Sequence, residues 1–561
     1  MPLRLLRLLV LIASLACDVA LCATSKGTLT TTTRKTTTRS FTLNLALKTL
    51  APDGVPKQMM LANGQLDYTI EVNTGDVLHV TVNNRMNVPT SIHWHGIFQT
   101  DSPWMDGPGQ ITQCPIKANS TFTYKFNTKG QAGTFWWHAH YASHYVNGIR
   151  GPLIIRDPKD PYKSQYDEEA VITLSDHFHV SAKTVLDQYY AALDPAPDSG
   201  LINGKGRYDC KYASRETKCK ANSPIQVFNV KPMRRYRLRI INMSAQAMFR
   251  VSLDGHKMTV IEADGVNTNP TVVTSFTISS SQRYSVIVEA KQPISNYWFR
   301  ATILDMYTPT GYIITNGLNF NCRAIWRYEG AKTQSTPTTK PINDVAPLNV
   351  YTLGELHGMT QSQLPDSDDT DRVYFKFNVA ADARNKTVSQ ITLNSNSTNI
   401  YSSRFTLPKA PLLRTLLNST AKLPASSNTY ETKPGYTLLK VSNYDNIDHT
   451  FHLHGHTFHV VSSGFQLSSA VTGQTYPRRD AIQVPPCEGR AVTNSTNPEN
   501  GCTPGYVTLL IEFNHPGVWL FHCHIEWHMA TGLVMTFVNR RGIEMVKNNI
   551  PNGFWDHCTS K

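Results

Sequence analysis

Histidines spaced two residues apart, in four separate places, constrain this chain more than any other feature. Ten of its 20 histidines fall in four short groups: His93-Trp94-His95, His138-Ala139-His140, His449-Thr450-Phe451-His452-Leu453-His454, and His522-Cys523-His524-Ile525-Glu526-Trp527-His528. Side chains alternate faces along a β-strand, so residues i and i+2 point the same way. Each H-x-H pair therefore offers two imidazoles to one site. Four such pairs offer eight, enough to hold a cluster of three metal ions. Two pairs lie early in the chain and two lie late, so a shared cluster requires the two ends of the fold to meet. A lone H-x-H carries little weight. His177-Phe178-His179 has the same spacing and is not taken as a ligand pair, and His454-Gly455-His456 is half redundant.

The HCH group specifies a second site by the same geometry. His522 and His524 face one side of a strand, so Cys523 faces the other, where it can join His449 and His528. A His2Cys ligand set suits blue copper and electron transfer. Zinc is the competing metal, but a structural zinc site needs only about four ligands. The thiolate is also joined, through its own backbone, to two imidazoles of the three-metal cluster. That gives an electron a short bonded route from one site to the other.

The remainder reads as β-structure. At 561 residues the chain is too long for one core and suggests three or four domains, at roughly 150 residues each. Period-two segments begin at Phe41, in FTLNLAL, YTIEV, VLHVTV and FTYKFN, separated by turn signals such as Pro52-Asp53-Gly54. A break falls near Asp157–Pro161. A second strand-rich block follows and fades into a Thr/Pro/Gln-rich linker at 331–344, and a third block runs from 345 to the end. The expectation is an all-β chain of three consecutive antiparallel sandwiches, 41–160, 161–330 and 345–561, with one helical stretch near Thr184–Ala192.

The N-terminus reads as an export signal over 1–23. Arg4 and Arg7 precede an apolar stretch, Leu8–Ala16, and small residues follow to Ala23. That stretch is far shorter than the roughly 20 residues of a spanning helix, and no later segment reaches that length, so no membrane anchor is expected. Residues 24–40 form a Thr-rich basic leader. Sequons at Asn119, Asn242, Asn385, Asn396, Asn418 and Asn494 agree with secretion to the cell exterior. Of ten cysteines, Cys17 and Cys22 fall in the signal, and the remaining eight suit an oxidising compartment. The net charge of +13 invites a nucleic-acid reading, which export disfavours. Lys and Arg are scattered apart from small groups such as Arg234-Arg235 and Arg478-Arg479, and the charge is read mainly as solvated surface, with weak attachment to an anionic wall polymer as the remaining partner.

These residues resemble the multicopper oxidase family across most of the mature chain. The likeness is carried by SIHWHGIFQTDSPWMDGPGQITQCPI, QAGTFWWHAH, IRGPLIIRDP, YRLRIIN, LDGHKMTVIEADG, SQRYSVIVEA, HTFHLHGHTFHVV and HPGVWLFHCHIEWHMATGL. Among its branches the chain is most similar to fungal laccases, with fungal ferroxidases next. The resemblance implies three Greek-key cupredoxin domains and four copper ions. It implies His449, Cys523 and His528 at a type 1 copper and His93 and His452 at a type 2 copper. His95, His138 and His524 would hold one type 3 ion, and His140, His454 and His522 the other. Leu533, five residues after His528, occupies the axial position, where an apolar side chain cannot ligate. Asp106 and Glu526 match acids near the cluster that would tune bound water and supply protons. Asp176, in TLSDHFHVSAK, matches a substrate-pocket carboxylate that would accept a phenolic proton as an electron leaves through His528.

The resemblance also pairs Cys114 with Cys558. Cys210 with Cys219 and Cys487 with Cys502 look like local pairs, Cys322 is left over, and a further laccase cysteine is replaced by Val146. The expected activity is one-electron oxidation of phenols or aromatic amines coupled to four-electron reduction of O2. A ferroxidase, for which Asp305 is a candidate acid, and a non-catalytic copper-binding wall protein are the rivals. APLLRTLLNSTAKLP contains no carboxylate where a ferroxidase's other acid is expected.

Overall fold

The computed structural model describes residues 36–191, 195–304, 320–333, 335–343, 345, 347–351, 353–365, 370–381, 387–395, 398–402, 404–418, 421–464, 475–489 and 502–558. The export signal, most of the Thr-rich leader, Asp305 and the sequons at Asn385, Asn396 and Asn494 lie outside these residues.

Three pairs of sheets follow one another along the chain. The first pair contains a four-stranded sheet of Thr38–Leu50, Lys57–Ala62, Val77–Asn84 and Ser120–Asn127. Its partner sheet contains Ile70–Asn73, Arg150–Arg156, Gly133–Ala139 and Ile92–His95. The second pair has six and five strands and runs from Glu168 to Tyr328. The third has seven and five strands and runs from Thr370 to Asn539. Period-two patterning works as expected: Val77–Asn84 alternates half-buried and buried side chains along its whole length, so one face enters the core.

The two ends of the fold meet. One continuous apolar core holds Leu43, Val80, Trp94 and Trp137 from the first block together with Phe375, Phe451, Trp519 and Phe537 from the third. The middle block keeps largely its own core, around Leu238, Val286, Phe299 and Trp326. Cys114 near the first sheets is bonded to Cys558 near the C-terminus, a separation of 444 residues. Cys210–Cys219 and Cys487–Cys502 are also bonded, and Cys322 and Cys523 are buried and free.

Three expectations need correction. The first strand begins at Thr38 rather than Phe41: Thr38, Arg39 and Ser40 pair with Val77, Leu78 and His79, and Arg39 binds Asp76 at 3.2 Å. The Thr/Pro/Gln linker, where it is described, is held by the second block, with Asn296 donating to the carbonyls of Lys332 and Ser335 and Arg300 to that of Thr339. Arg479 is not surface charge. It is 1% exposed and holds Asp264 at 2.8 Å. Asn242 is not an acceptor for glycan either: it is fully buried and its amide donates to the carbonyls of Ala247 and Ile278. Asn119, by contrast, is exposed in a turn. The helical stretch is Ala182–Tyr190, capped by Ser181 Oγ, which accepts from the Thr184 amide.

Candidate metal centre

Strand register assembles the histidines. Ile92–His95 runs antiparallel to Gly133–Ala139 with His93 opposite His138 and Trp94 opposite Trp137. Alternation then places the two tryptophans in the core, while His93, His95 and His138 share the other face. Trp136 shares that face too and stacks on the His138 ring at 4.2 Å, forming a wall the sequence reading did not identify. In the third block His452 stands opposite His522, and Phe451 opposite Cys523. His449, Phe451 and Cys523 therefore occupy the face turned away from His452 and His522. A sharp turn at Asp106-Gly107 sets an acid beside this cluster. Gly107 has φ +100°, and a Cβ there would lie 1.7 Å from the carbonyl oxygen of Ile92.

The imidazoles converge in groups. One ligand atom each from His93, His95 and His452 lie within 4.8 Å of one another, as do those of His95, His138 and His524, and of His140, His454 and His522. All are buried. Most of the rings are held by one nitrogen and left open at the other, while the Nε2 atoms of His454 and His522 face each other at 3.1 Å. The Nδ1 atoms of His93, His138, His452 and His522 lie 2.8–3.0 Å from the carbonyls of Asp106, Ala139, Asp480 and Cys523. His454 Nδ1 lies 2.8 Å from Asp106 Oδ2. The Nε2 atoms of His93, His138, His140, His452 and His524 then find no hydrogen-bond partner among the described residues. His95 is reversed: Asp480 takes its Nε2 at 3.3 Å, and its Nδ1 is the unpartnered atom. Buried polar atoms without partners cost on the order of 1–3 kcal/mol each. Six of them facing one centre are the donor set that a cluster of metal ions satisfies. Burial and the neighbouring imidazoles push His95, His138, His140, His452, His454 and His524 well below the usual histidine range, so these rings are neutral and their lone pairs are free.

The thiol site lies across the strand. Cys523 Sγ is 3.5 Å from His449 Nδ1 and 3.7 Å from His528 Nδ1, and the two Nδ1 atoms are 3.0 Å apart. His449 is oriented by Asp445, whose Oδ2 is 3.0 Å from Nε2. Burial pushes the Cys523 thiol far above its usual value, so a bound cation is required to stabilise the thiolate. Leu533 is fully buried, and its backbone bonds both Cys523 and His528. His528 is the one member of this trio with measurable exposure, 4%, and Tyr189 lies over it at 5.7 Å.

The acids divide into two kinds. Asp106 touches His93 and His454 in the cluster, whereas Glu526 lies two residues after His524 and is held by Ser143 and Tyr145. Burial raises Asp106, partly offset by His93. Burial lifts Glu526 to about 7, against hydrogen bonds from Ser143 and Tyr145. Asp176 differs from expectation. It is 2% exposed, and its carboxylate accepts the backbone N–H groups of Ala245, Gln246 and Ala247. Burial raises it, and those three donors pull it back down. Its oxygens are committed to a loop rather than presented to a substrate. That loop in turn binds the Glu526 amide through the Ala245 carbonyl and the Trp527 indole through Gln246, so Asp176 braces the helix Glu526–Ala530, which carries His528.

The sequence reading missed Asp480 and Arg283. Asp480 touches His95 with its carboxylate and His452 with its carbonyl, while Arg283 grips both its oxygens at 2.6 Å. The available signal was weak: an acid directly after two arginines at the entry to a short strand, in YPRRDAIQV.

Three family models, each described as multicopper oxidase, match residues 44–160, 168–331 and 378–542. The chain is 36% identical over 515 residues to Laccase-4 of Thanatephorus cucumeris, covering 88% of each chain. It is 36% identical over 506 residues to Laccase-2 of Pleurotus ostreatus, covering 87% of this chain and 83% of the other. Among solved structures, the laccase of Botrytis aclada superposes with a TM-score of 0.76 at 29% identity, over 93% of this chain and 92% of that one. Fet3p, a multicopper oxidase that functions in iron import, shares the fold with a TM-score of 0.74 at 24% identity, over 93% and 94% of the two chains.

Proposed function

The chain belongs to the multicopper oxidase family, and we propose that it works as a laccase-type oxidase, drawing electrons singly from phenols or aromatic amines and reducing O2 to water. The observation that carries this reading is the set of buried, unpartnered imidazole nitrogens gathered next to a buried His2Cys trio. On this reading His449, Cys523 and His528 hold the type 1 copper, and His93 and His452 the type 2 copper. His95, His138 and His524 hold one type 3 copper, and His140, His454 and His522 hold the other. When bound, the four copper ions supply one-electron acceptance at the thiolate site and four-electron reduction of O2 at the other three.

The protein's own contributions follow from its side chains. Backbone carbonyls and the carboxylates of Asp106, Asp445 and Asp480 orient these rings, so the open nitrogens are set before any ion arrives. Cys523 binds covalently to His522 and His524 through the main chain, which links the two ligand sets by the fewest possible bonds. Leu533, fully buried and unable to ligate, would add no donor to a copper ion held by that trio, which would favour Cu(I) and a higher potential. Glu526 keeps a proton on its carboxyl near neutral pH, held between Ser143 and Tyr145, and is positioned to deliver it toward the cluster. Organic donors reach the thiolate site over His528, the ligand nearest solvent.

Export to the cell exterior belongs to the same reading. Three disulfides suit an oxidising compartment, and no helix among the described residues is long and apolar enough to cross a membrane. The test is O2 uptake by the copper-loaded protein with 2,6-dimethoxyphenol and, separately, Fe(II). The expected result is one O2 consumed per four phenols, with kcat/KM higher for the phenol. A preference for Fe(II) would replace the reading with a ferroxidase, and no uptake with either donor would replace it with a metal-binding wall protein.

A further inference from the structure

One more group of ligating side chains comes together away from the copper centre. A ligand atom from each of Asp53, His177 and His179 lies within 4.8 Å of the other two. Asp53 sits in the turn between Thr38–Leu50 and Lys57–Ala62. His177 ends the strand Glu168–His177, so the group spans the first and second blocks. Asp53 Oδ2 is 2.8 Å from His179 Nε2 and accepts from Ser199 Oγ at 2.6 Å, while Oδ1 accepts from the Val55 amide at 3.0 Å. The other nitrogen of His179 is 3.5 Å from Asp198 Oδ1. A carboxylate behind an imidazole in this way orients metal-bound histidines. Asp198 is itself fixed, accepting from the His179 amide at 2.7 Å and donating to the His177 carbonyl at 2.9 Å.

His177 supplies a second, independent observation. It is 2% exposed, and its buried Nε2 has no hydrogen-bond partner among the described residues. The imidazoles of the copper centre are left open in the same manner. The charge around the group also leans toward a cation. Asp53, Asp176 and Asp198 face Lys57, whose buried amine opposes them with no partner of its own. Arg150, the other nearby cation, has its own carboxylate in Asp67 at 3.6 Å. Burial and Arg150 lower Lys57 to about 8, which weakens that opposition. Access is from the His179 side, where the side chains of His179 and Asp198 are 17% and 28% exposed.

We propose that Asp53, His177 and His179 bind a fifth metal ion, a zinc-class divalent cation, which clamps the turn of the first block to the second. Two imidazoles and one carboxylate make a zinc-type donor set, with water completing the tetrahedron. Bonds of about 2.0–2.1 Å put tetrahedral ligands roughly 3.3 Å apart. Asp53 and His179 therefore open slightly from 2.8 Å, a change similar to that needed by His449 and His528 at 3.0 Å or His454 and His522 at 3.1 Å.

The experiment uses the full chain with its copper sites already filled. The protein is dialysed against micromolar Zn2+, and both metals are counted by mass spectrometry. The wild type is expected to retain one zinc per chain beside its copper. His177→Gln and Asp53→Asn are expected to lose that zinc while keeping their copper and their thiolate-to-copper absorption. In wild-type crystals soaked in Zn2+, an anomalous peak at the zinc edge is expected between the three side chains, a readout that needs no variant to fold. Wild-type protein that takes up no zinc would overturn the proposal. So would a His177→Gln variant that binds as much zinc as wild type, or an anomalous peak located elsewhere. The copper count in the same samples reports on the oxidase reading separately.

Discussion

Asp480→Ala should damage the protein in two separable ways. Asp480 and Arg283 are each 1% exposed or less and meet through two 2.6 Å contacts. Removing one partner of such a pair leaves a buried charge uncompensated, at about 3–5 kcal/mol. Asp264, 3.7 Å from Arg283, takes up part of that charge and favours the lower end, about 3 kcal/mol. The second effect is on the ligand. The Asp480 carboxylate is the acceptor at His95 Nε2, so its loss frees the ring to rotate and change tautomer. Loss of such an outer partner typically weakens metal affinity 10–100-fold. Urea unfolding of metal-free protein reads the first effect, and copper retained per chain against a chelator reads the second. In the double variant Arg283→Met/Asp480→Ala the stability should recover in part, because no unpaired charge remains, while copper retention stays low. Wild-type copper retention in Asp480→Ala, or full recovery of retention in the double variant, would refute the argument and reduce Asp480 to a partner for Arg283.

Acid stability follows from Glu262, which accepts from the Thr134 amide at 2.6 Å and from Arg237 at 2.5 Å. Burial raises its pKa, but Arg237 and Arg239 outweigh that and hold it at about 2, below the ordinary 4.5. The stabilisation, on the order of 3 kcal/mol, is thus complete above pH 4.5 and lost as pH falls toward 2. Glu262→Gln should flatten the unfolding free energy across that window, and an unchanged slope would contradict it. Removing the Cys114–Cys558 bond as a Ser/Ser double variant opens a 444-residue loop, for which chain entropy gives a ceiling of about 6 kcal/mol and measured disulfides typically about 2–4. Denaturant unfolding under oxidising conditions checks it. Asp176→Asn should cost about 1–3 kcal/mol of stability, because one acceptor for the 245–247 amides is lost, and leave the shape of the phenol pH–rate profile unchanged. A shifted profile would restore Asp176 as a proton acceptor.

What the sequence made legible was local. The i, i+2 spacing fixed which histidines share a face, and the HCH triplet fixed that Cys523 faces away from its neighbours, because strand alternation acts over two residues. What it hid was pairing across long separations. Asp480 and Arg283 are 197 residues apart, and each alone is an ordinary charged residue next to a strand. Arg479 looked like solvated charge for the same reason, since its partner Asp264 lies 215 residues away. Asp176 was placed by motif, yet its role depends on three amides in a loop some 70 residues later, which no local pattern records. His177 and His179 were set aside as a lone H-x-H pair, and the carboxylate beside them, Asp53, sits in a turn over 120 residues earlier, out of reach of any local pattern.

Counting copper in wild type and in Cys523→Ser tests most directly the proposal that one buried sulfur and ten buried imidazoles hold four copper ions. The prediction is four coppers per chain with an intense thiolate-to-copper absorption in the wild type, and three coppers with no such band and no phenol turnover in the variant. A fully metallated wild type lacking that band, or a variant that keeps both its fourth copper and its activity, would contradict it.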